Sequence, residues 1–192
     1  VILHLYARSR AATIEDAIIE SISQVRGAFS LVILTPDRMI AARDPHGFRP
    51  LALGKLGDAW VACSETCALD LIGATYVRDI EPGEAVFFDL NHQFHSRQCA
   101  QQPTYAPCIF EYVYLARPDS VIDGVSVYEA RLAMGELLSE KVRKTIPVEE
   151  IDVVIPIPDS SRPSAMQLAQ VLGIPFREGF VKNRYVGRTF IM

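Results

Sequence analysis

The residues of this chain best suited to chemistry gather near its carboxyl-terminal end. The run Ile151–Pro158, IDVVIPIP, is almost wholly apolar, and Asp159, Ser160 and Ser161 follow it directly. In open α/β sheets ligands bind beyond the carboxyl ends of strands, where helix N-termini offer free N–H groups. A carboxylate and two hydroxyls there could hold a phosphate or a ribose. A helix cap by Asp159 or Ser160, with Pro163 in the first turn, accounts for the same residues by spacing alone. A second group lies in KNRYVGRTF (Lys182–Phe190), where Lys182, Arg184 and Arg188 surround Tyr185 and Gly187. Arginine offers a bidentate fork and lysine a point charge, so the run reads either as a phosphate clamp or as a solvated basic loop.

Two further strings are ambiguous. EYVYLARPDS (Glu111–Ser120) places Arg117 before Pro118, hence in extended backbone, and suits a polar turn or a binding role. In RDPHGFRPL (Arg43–Leu51), His46-Gly47 is turn chemistry, and Arg43 and Arg49 are read as structural partners of Asp44 or another carboxylate. Cys63 and Cys67 are read as buried thiols rather than zinc ligands, because the chain's histidines show no ligand spacing with them. No Ser-His-Asp or Cys-His constellation can be assembled from spacing.

The elements that must position these groups fall into two kinds. Thr13 with Asp16 opens a helix whose apolar stripe is Ile14, Ala17, Ile18, Ile22 and Val25, with Gly27 as its stop. Ala28–Leu34 with Met39–Arg43, and Leu51–Gly54 with Trp60–Ser64, are two hairpins; a short helix over Glu65–Ile72 and the strands YVRDI, EAVFFD and QFHSRQ come next. The aperiodic stretch QCAQQPTYAP (Gln98–Pro107) is the best candidate for a domain boundary. Beyond it, Ser126 with Glu129 opens a helix with the stripe Val127, Ala130, Met134, Leu137, Leu138 and Val142. The order strand IDVVIPIP, helix to Gly173, strand IPFREGF is that of a parallel α/β unit.

The 192 residues are 49% hydrophobic, with a net charge of −4 and no run of like charge, so broad nucleic-acid binding is not expected. Four scattered cysteines do not make a secreted disulfide framework, and a reducing cytoplasm is expected. No apolar run is long enough for a membrane span, and the start VILHLYARSR is not a signal peptide. Both ends read as cuts through a larger structure.

The strings RDPHGFRPLALG, SETCALD, IEPGEA, CIFEYVYLARPDS, DVVIPIPDSS and GFVKNRYVGRTFIM, taken in order, resemble consecutive blocks of the amidophosphoribosyltransferase family. The resemblance covers nearly the whole chain. It implies a mixed α/β and α+β chain: residues 1–98 as the second half of an N-terminal-nucleophile glutaminase domain with antiparallel sheets, 99–125 as an interdomain segment, and 126–192 as the first half of a type I phosphoribosyltransferase domain with parallel β/α order. The implied reaction passes ammonia from glutamine to phosphoribosylpyrophosphate (PRPP), giving phosphoribosylamine, pyrophosphate and glutamate in the first committed step of purine synthesis. The family's nucleophilic cysteine and its oxyanion hole are expected before Val1, and its acidic PRPP fingerprint beyond Met192, so no catalytic residue is expected within this chain.

By position, the resemblance implies that Ser160 associates with Mg2+ and that Asp159 and Ser161 line the same strand end. It makes Lys182, Arg184, Tyr185, Gly187 and Arg188 a loop that closes over PRPP, with Lys182 and Arg184 also touching inhibitory purine nucleotides. Tyr114 and Arg117 fall near a nucleotide site. Cys108 matches a position that ligates an iron–sulfur cluster in some members; a cluster needs four thiolates, and the expectation is that none forms. A homo-oligomer is expected of the full-length protein. The competing readings are an inert fragment or nucleotide-binding regulatory module of that enzyme, and a different phosphoribosyltransferase; the strand-rich first 98 residues weigh against the last.

Overall fold

The computed structural model describes residues 1–91, 93–183 and 185, and divides into two compact units. The first comprises Val1–Ile109 with Ser120–Gly124, and the second Phe110–Asp119 with Val125–Met192.

The first unit opens with α1 (Ile2–Arg8) and α2 (Ile14–Ser23). Thr13 starts α2 as read from the sequence: its Oγ1 accepts the Asp16 N–H at 3.1 Å and donates to the Asp16 carboxylate at 2.7 Å. The strands β1 (Ser30–Leu34), β2 (Arg38–Arg43), β3 (Ala52–Leu56) and β4 (Ala59–Cys63) form the two expected hairpins. They are followed by α3 (Thr66–Ile72), β5 (Thr75–Asp79), β6 (Glu84–Asp89) and β7 (Phe94–Gln98). All pairing is antiparallel, in a four-stranded sheet β1-β2-β6-β7 and a three-stranded sheet β4-β3-β5.

The two-residue period of a strand explains the layering. On β2 and β6, Ile40, Ala42, Ala85 and Phe87 face Ile18 and Ile22 of α2 in one core. The alternate residues Ala41, Val86 and Phe88 face Leu51, Leu53 and Ile80 in the other. The four-stranded sheet therefore lies between α2 and the three-stranded sheet. On the far side α3 presses against β3, where a Cβ on Gly54 would come within 2.6 Å of Leu69.

Polar side chains fasten the loops. Asp44, fully buried, accepts N–H bonds from His46, Phe48 and Phe29, which builds the RDPHG turn. Arg43 pairs not with Asp44 but with Asp123, bidentately at 2.7 and 2.8 Å, and also donates to the carbonyls of Gly47, Arg49 and Ile80. Burial alone would lower its pKa, yet the Asp123 carboxylate more than offsets this and holds it up. Glu65 and Thr66 clamp the neighbouring residues by accepting from Ser120 Oγ and Val121 N–H, each at 2.8 Å. The polar stretch before Cys108 is tied down as well: the N–H groups of Thr104, Ala106 and Cys108 bond to the carbonyls of Pro45, His46 and Phe48. All four cysteines are free thiols; Cys67 is buried and Cys63 partly so, and burial pushes the Cys63 thiol up.

The second unit contains a π-helical turn (Glu111–Leu115), α4 (Val127–Thr145) and α5 (Arg162–Leu172). Ser126 caps α4 by accepting the Glu129 N–H, and Gly173 ends α5 with φ 71°, both as expected. Two expectations are corrected. The buried face of α4 is Val127, Arg131, Gly135 and Ser139: of the expected apolar stripe only Val127 is fully buried, Ala130, Met134 and Val142 are partly so, and Leu137 and Leu138 are 66% and 45% exposed. Small residues replace large ones there because α5 approaches closely: a Cβ on Gly135 would sit 2.3 Å from the Ser164 carbonyl oxygen. Nor do IDVVIPIP and IPFREGF form regular strands. They meet in one parallel bridge, Val154 to Phe176, with N–H···O bonds of 3.0 Å on each side. Pro156, Pro158 and Pro175 have no N–H to extend the ladder.

Candidate functional site

A cavity of about 830 Å³ opens in the second unit where this bridge gives way to α5. One wall comes from the segment after the π-helical turn, with Tyr114 and Arg117. The opposite wall is the strand end, with Asp159 and Ser160, and Lys182 comes from the segment beyond the second strand. Five residues singled out in the sequence thus converge, although up to 68 positions separate them (Tyr114 to Lys182).

The helix-cap reading of Asp159 and Ser160 fails in its simple form. Ser161 is the N-cap of α5, no side chain caps the helix, and the Ser161 hydroxyl turns back to donate to the Ile157 carbonyl. The Asp159 carboxylate instead faces cations: Lys182 Nζ lies 3.4 Å from one oxygen and Arg162 Nε 3.8 Å from the other. Arg162 also pairs with Glu178 at 2.6 Å. Across the cavity Arg117 forms a two-bond fork on Asp119, at 3.0 and 2.8 Å, and holds that carboxyl below its usual range. The Asp159 and Asp119 pairs are about half exposed, so they are weak and exchangeable.

An arrangement of this kind suits an anionic ligand. Cations held by side-chain carboxylates can turn to a phosphate at little cost, while the Ser160 hydroxyl can donate or accept.

Not every expected residue joins the cavity. Ser161 does not line it, and Tyr185 is almost fully exposed, with its N–H on Asn183 Oδ1 at 2.9 Å. Arg184, Gly187 and Arg188 lie outside the described residues. The sequence reading missed Tyr128, Arg131 and Arg162, which also line the cavity. Arg162, next to Ser161, could have been found from its place in the same run; Tyr128 and Arg131 carry no local signal, since their helix looked amphipathic in another direction. Among the described residues, no group of three or more His, Cys, Asp or Glu could hold a metal ion, and no helix is long and apolar enough to cross a membrane.

Comparison with known proteins agrees with the motif reading. The glutamine amidotransferase domain family matches residues 1–71. Amidophosphoribosyltransferase from Pseudomonas aeruginosa is 48% identical, covering all of this chain and 41% of the relative. The enzyme of that name from Haemophilus influenzae is 54% identical over 88% of this chain and 35% of its own length. Glutamine PRPP amidotransferase from Bacillus subtilis, solved in complex with ADP and GMP, superposes with a TM-score of 0.90 at 43% identity, over all of this chain and 41% of that one. The antiparallel sheets and helices of the first unit match the glutamine amidotransferase domain of that protein. The chain spans about two fifths of the length of such relatives. Over its whole length the chain is thus similar in sequence to a segment of the amidophosphoribosyltransferases, and its described residues share the fold of the Bacillus subtilis protein.

Proposed function

We propose that this chain is a segment of an enzyme that transfers ammonia from glutamine to PRPP, releasing pyrophosphate and forming phosphoribosylamine, the committing step of purine synthesis. The observation that carries the proposal is the convergence of Asp159, Ser160 and Lys182 on one cavity, in a chain that matches amidophosphoribosyltransferases throughout. On this reading the first unit belongs to the glutaminase half, and the second is the beginning of a phosphoribosyltransferase domain. The attacking cysteine and its oxyanion donors are supplied elsewhere in the parent enzyme. The 192-residue chain alone should then release no ammonia from glutamine.

The chemistry asked of the cavity is electrostatic. As pyrophosphate leaves C1 of the ribose, positive charge builds on the sugar and negative charge on the leaving group, so cations fixed near the phosphates stabilise the transition state. Lys182 and Arg117 supply such charge once they turn from Asp159 and Asp119. Closure of the segment Lys182–Phe190 over the ligand would keep water from PRPP. Mg2+ is compatible with the donors present: Asp159 and Ser160 offer adjacent hard oxygens, and Mg2+ usually binds through one or two carboxylates together with substrate phosphates. Bound there, it would neutralise the leaving pyrophosphate. Purine nucleotides would compete for the same cations, which is consistent with the ADP and GMP bound to the Bacillus subtilis protein. A homo-oligomer is the assembly we expect for the full-length protein.

Steady-state kinetics of Lys182→Ala in the full-length enzyme test the proposal. Each charge-assisted hydrogen bond is worth roughly 1.5–3 kcal/mol, so PRPP use or nucleotide inhibition should weaken by about 10- to 100-fold. Glutamine hydrolysis measured without PRPP should hardly change. If PRPP dependence and nucleotide inhibition both match wild type, the clamp is ruled out.

A further inference from the structure

Arg131 is 3% exposed, lies on the buried face of α4 and lines the cavity. Its guanidinium is spread over two main-chain acceptors: Nε donates to the Tyr112 carbonyl at 2.7 Å and Nη2 to the Ala116 carbonyl at 2.8 Å. The first carbonyl lies within the π-helical turn and the second at its C-cap. Tyr114 stands between the two anchored residues and Arg117 directly follows the second. The fork therefore sets the backbone that carries one wall of the cavity.

The same residue reaches the other wall through its main chain. The Ser164 hydroxyl, in the first turn of α5, donates to the Arg131 carbonyl at 2.8 Å. One turn along α4, Gly135 lets the Ser164 carbonyl come so near that a Cβ there would stand 2.3 Å away. Ser164 is thus held from two successive turns of α4, and α5 begins immediately after the strand end bearing Asp159 and Ser160.

We infer that Arg131 is a positioning residue of this cavity: it fixes the Tyr114–Arg117 wall with its guanidinium and the Ser160 wall through its carbonyl, so that groups gripping opposite sides of one ligand keep a set separation. The inference rests on the phosphoribosyl reading above and deepens it. Lysine cannot replace the arginine, because a single ammonium on a flexible stem lacks the rigid fork that spans two carbonyls.

The test uses the full-length protein with ammonia as nitrogen donor, which removes the glutaminase step. Arg131→Lys should raise the KM for PRPP by about 10- to 100-fold, the scale of a misplacement near 1 Å, while the KM for ammonia stays near wild type and the Tm falls only by the few degrees that one lost buried hydrogen bond brings. Ser164→Ala, which cuts only the link to α5, should shift the PRPP KM in the same direction by about two- to fivefold. Arg131→Met removes both bonds to the Tyr112 and Ala116 carbonyls and puts folding itself at risk, so the lysine and serine variants carry the test. A PRPP KM unchanged in Arg131→Lys overturns the inference. So does a fall in kcat and Tm together at constant PRPP KM, which marks a general structural brace. Failure of the wild-type protein itself to use PRPP would instead bring down the functional reading beneath it.

Discussion

Strand β6 and the run Ile151–Pro158 look alike as text, each a short apolar stretch, yet they end in different structures. β6 is paired along its length with β2 on one side and β7 on the other, and its two faces feed two cores. The later run makes a single bridge, at Val154. Apolar letters report that a segment avoids water; a ladder also needs N–H donors in register and a neighbour to receive them. Proline at 156 and 158 withholds the donors, and the segment becomes an irregular lead-in to a cavity. The ladder-built unit and the helix-built unit should therefore break in different ways.

The largest effect is expected at Arg43. Its side chain is 1% exposed and neutralised by Asp123. Arg43→Met leaves a carboxylate and three carbonyls without their donor, and should destabilise the first unit by about 3–5 kcal/mol. Urea denaturation followed by Trp60 fluorescence measures it. A loss under about 1 kcal/mol would mean that the ladders, not this pin, hold the loops.

Gly135→Ala strikes the helix-built unit at its closest approach. Overpacking of this kind costs about 1–3 kcal/mol, and hydrogen exchange should accelerate in α4 and α5 while β2 and β6 keep their protection. Equal acceleration in the sheets would erase the contrast drawn between the units.

A smaller effect, of opposite sign at two carboxylates, should appear with pH. Burial would raise the Glu84 carboxyl, but its two bonds from Arg78 and one from the Glu81 N–H prevail and hold it low. Its contribution is present above its unfolded value and is lost as pH falls through the folded one. Asp79 goes the other way: burial raises it despite the hydroxyl of Tyr76 at 2.9 Å, so its contribution declines as pH rises from the unfolded value through the folded one. Glu84→Gln should cost roughly 1 kcal/mol at neutral pH, after allowance for solvent at Arg78, and should flatten the acid limb of the stability curve. Asp79→Asn should remove the decline above it. Thermal melts from acid to neutral pH separate the two; a Glu84→Gln curve parallel to wild type contradicts the assignment.

The least effect is at the helix caps. Thr13→Ala and Ser126→Ala, both at exposed caps, should each cost about 0.5 kcal/mol, the low end for such residues, one in each unit, seen as similar small shifts of the urea midpoint. A much larger loss at Ser126 would show that α4 depends on its cap more than on its packing with α5.

Much of this molecule was determined by local rules that the sequence states openly. Capping residues at Thr13 and Ser126, a stop at Gly173, and the two hairpins β1–β2 and β3–β4 depend on neighbours a few positions away, and each is where the pattern puts it. The family blocks were equally legible, because a long ordered series of motifs is improbable by accident. What only the tertiary structure decided are long-range choices among equivalent partners. Arg43 had a carboxylate beside it in Asp44 and took Asp123, because Asp44 was already committed to the N–H groups of its own turn. Helix α4 turned Arg131, Gly135 and Ser139 inward and left Leu137 in solvent, because close approach of α5 rewards small side chains and a guanidinium that can satisfy main-chain carbonyls. No short-range pattern encodes that preference, since it depends on a surface that exists only after the chain has folded.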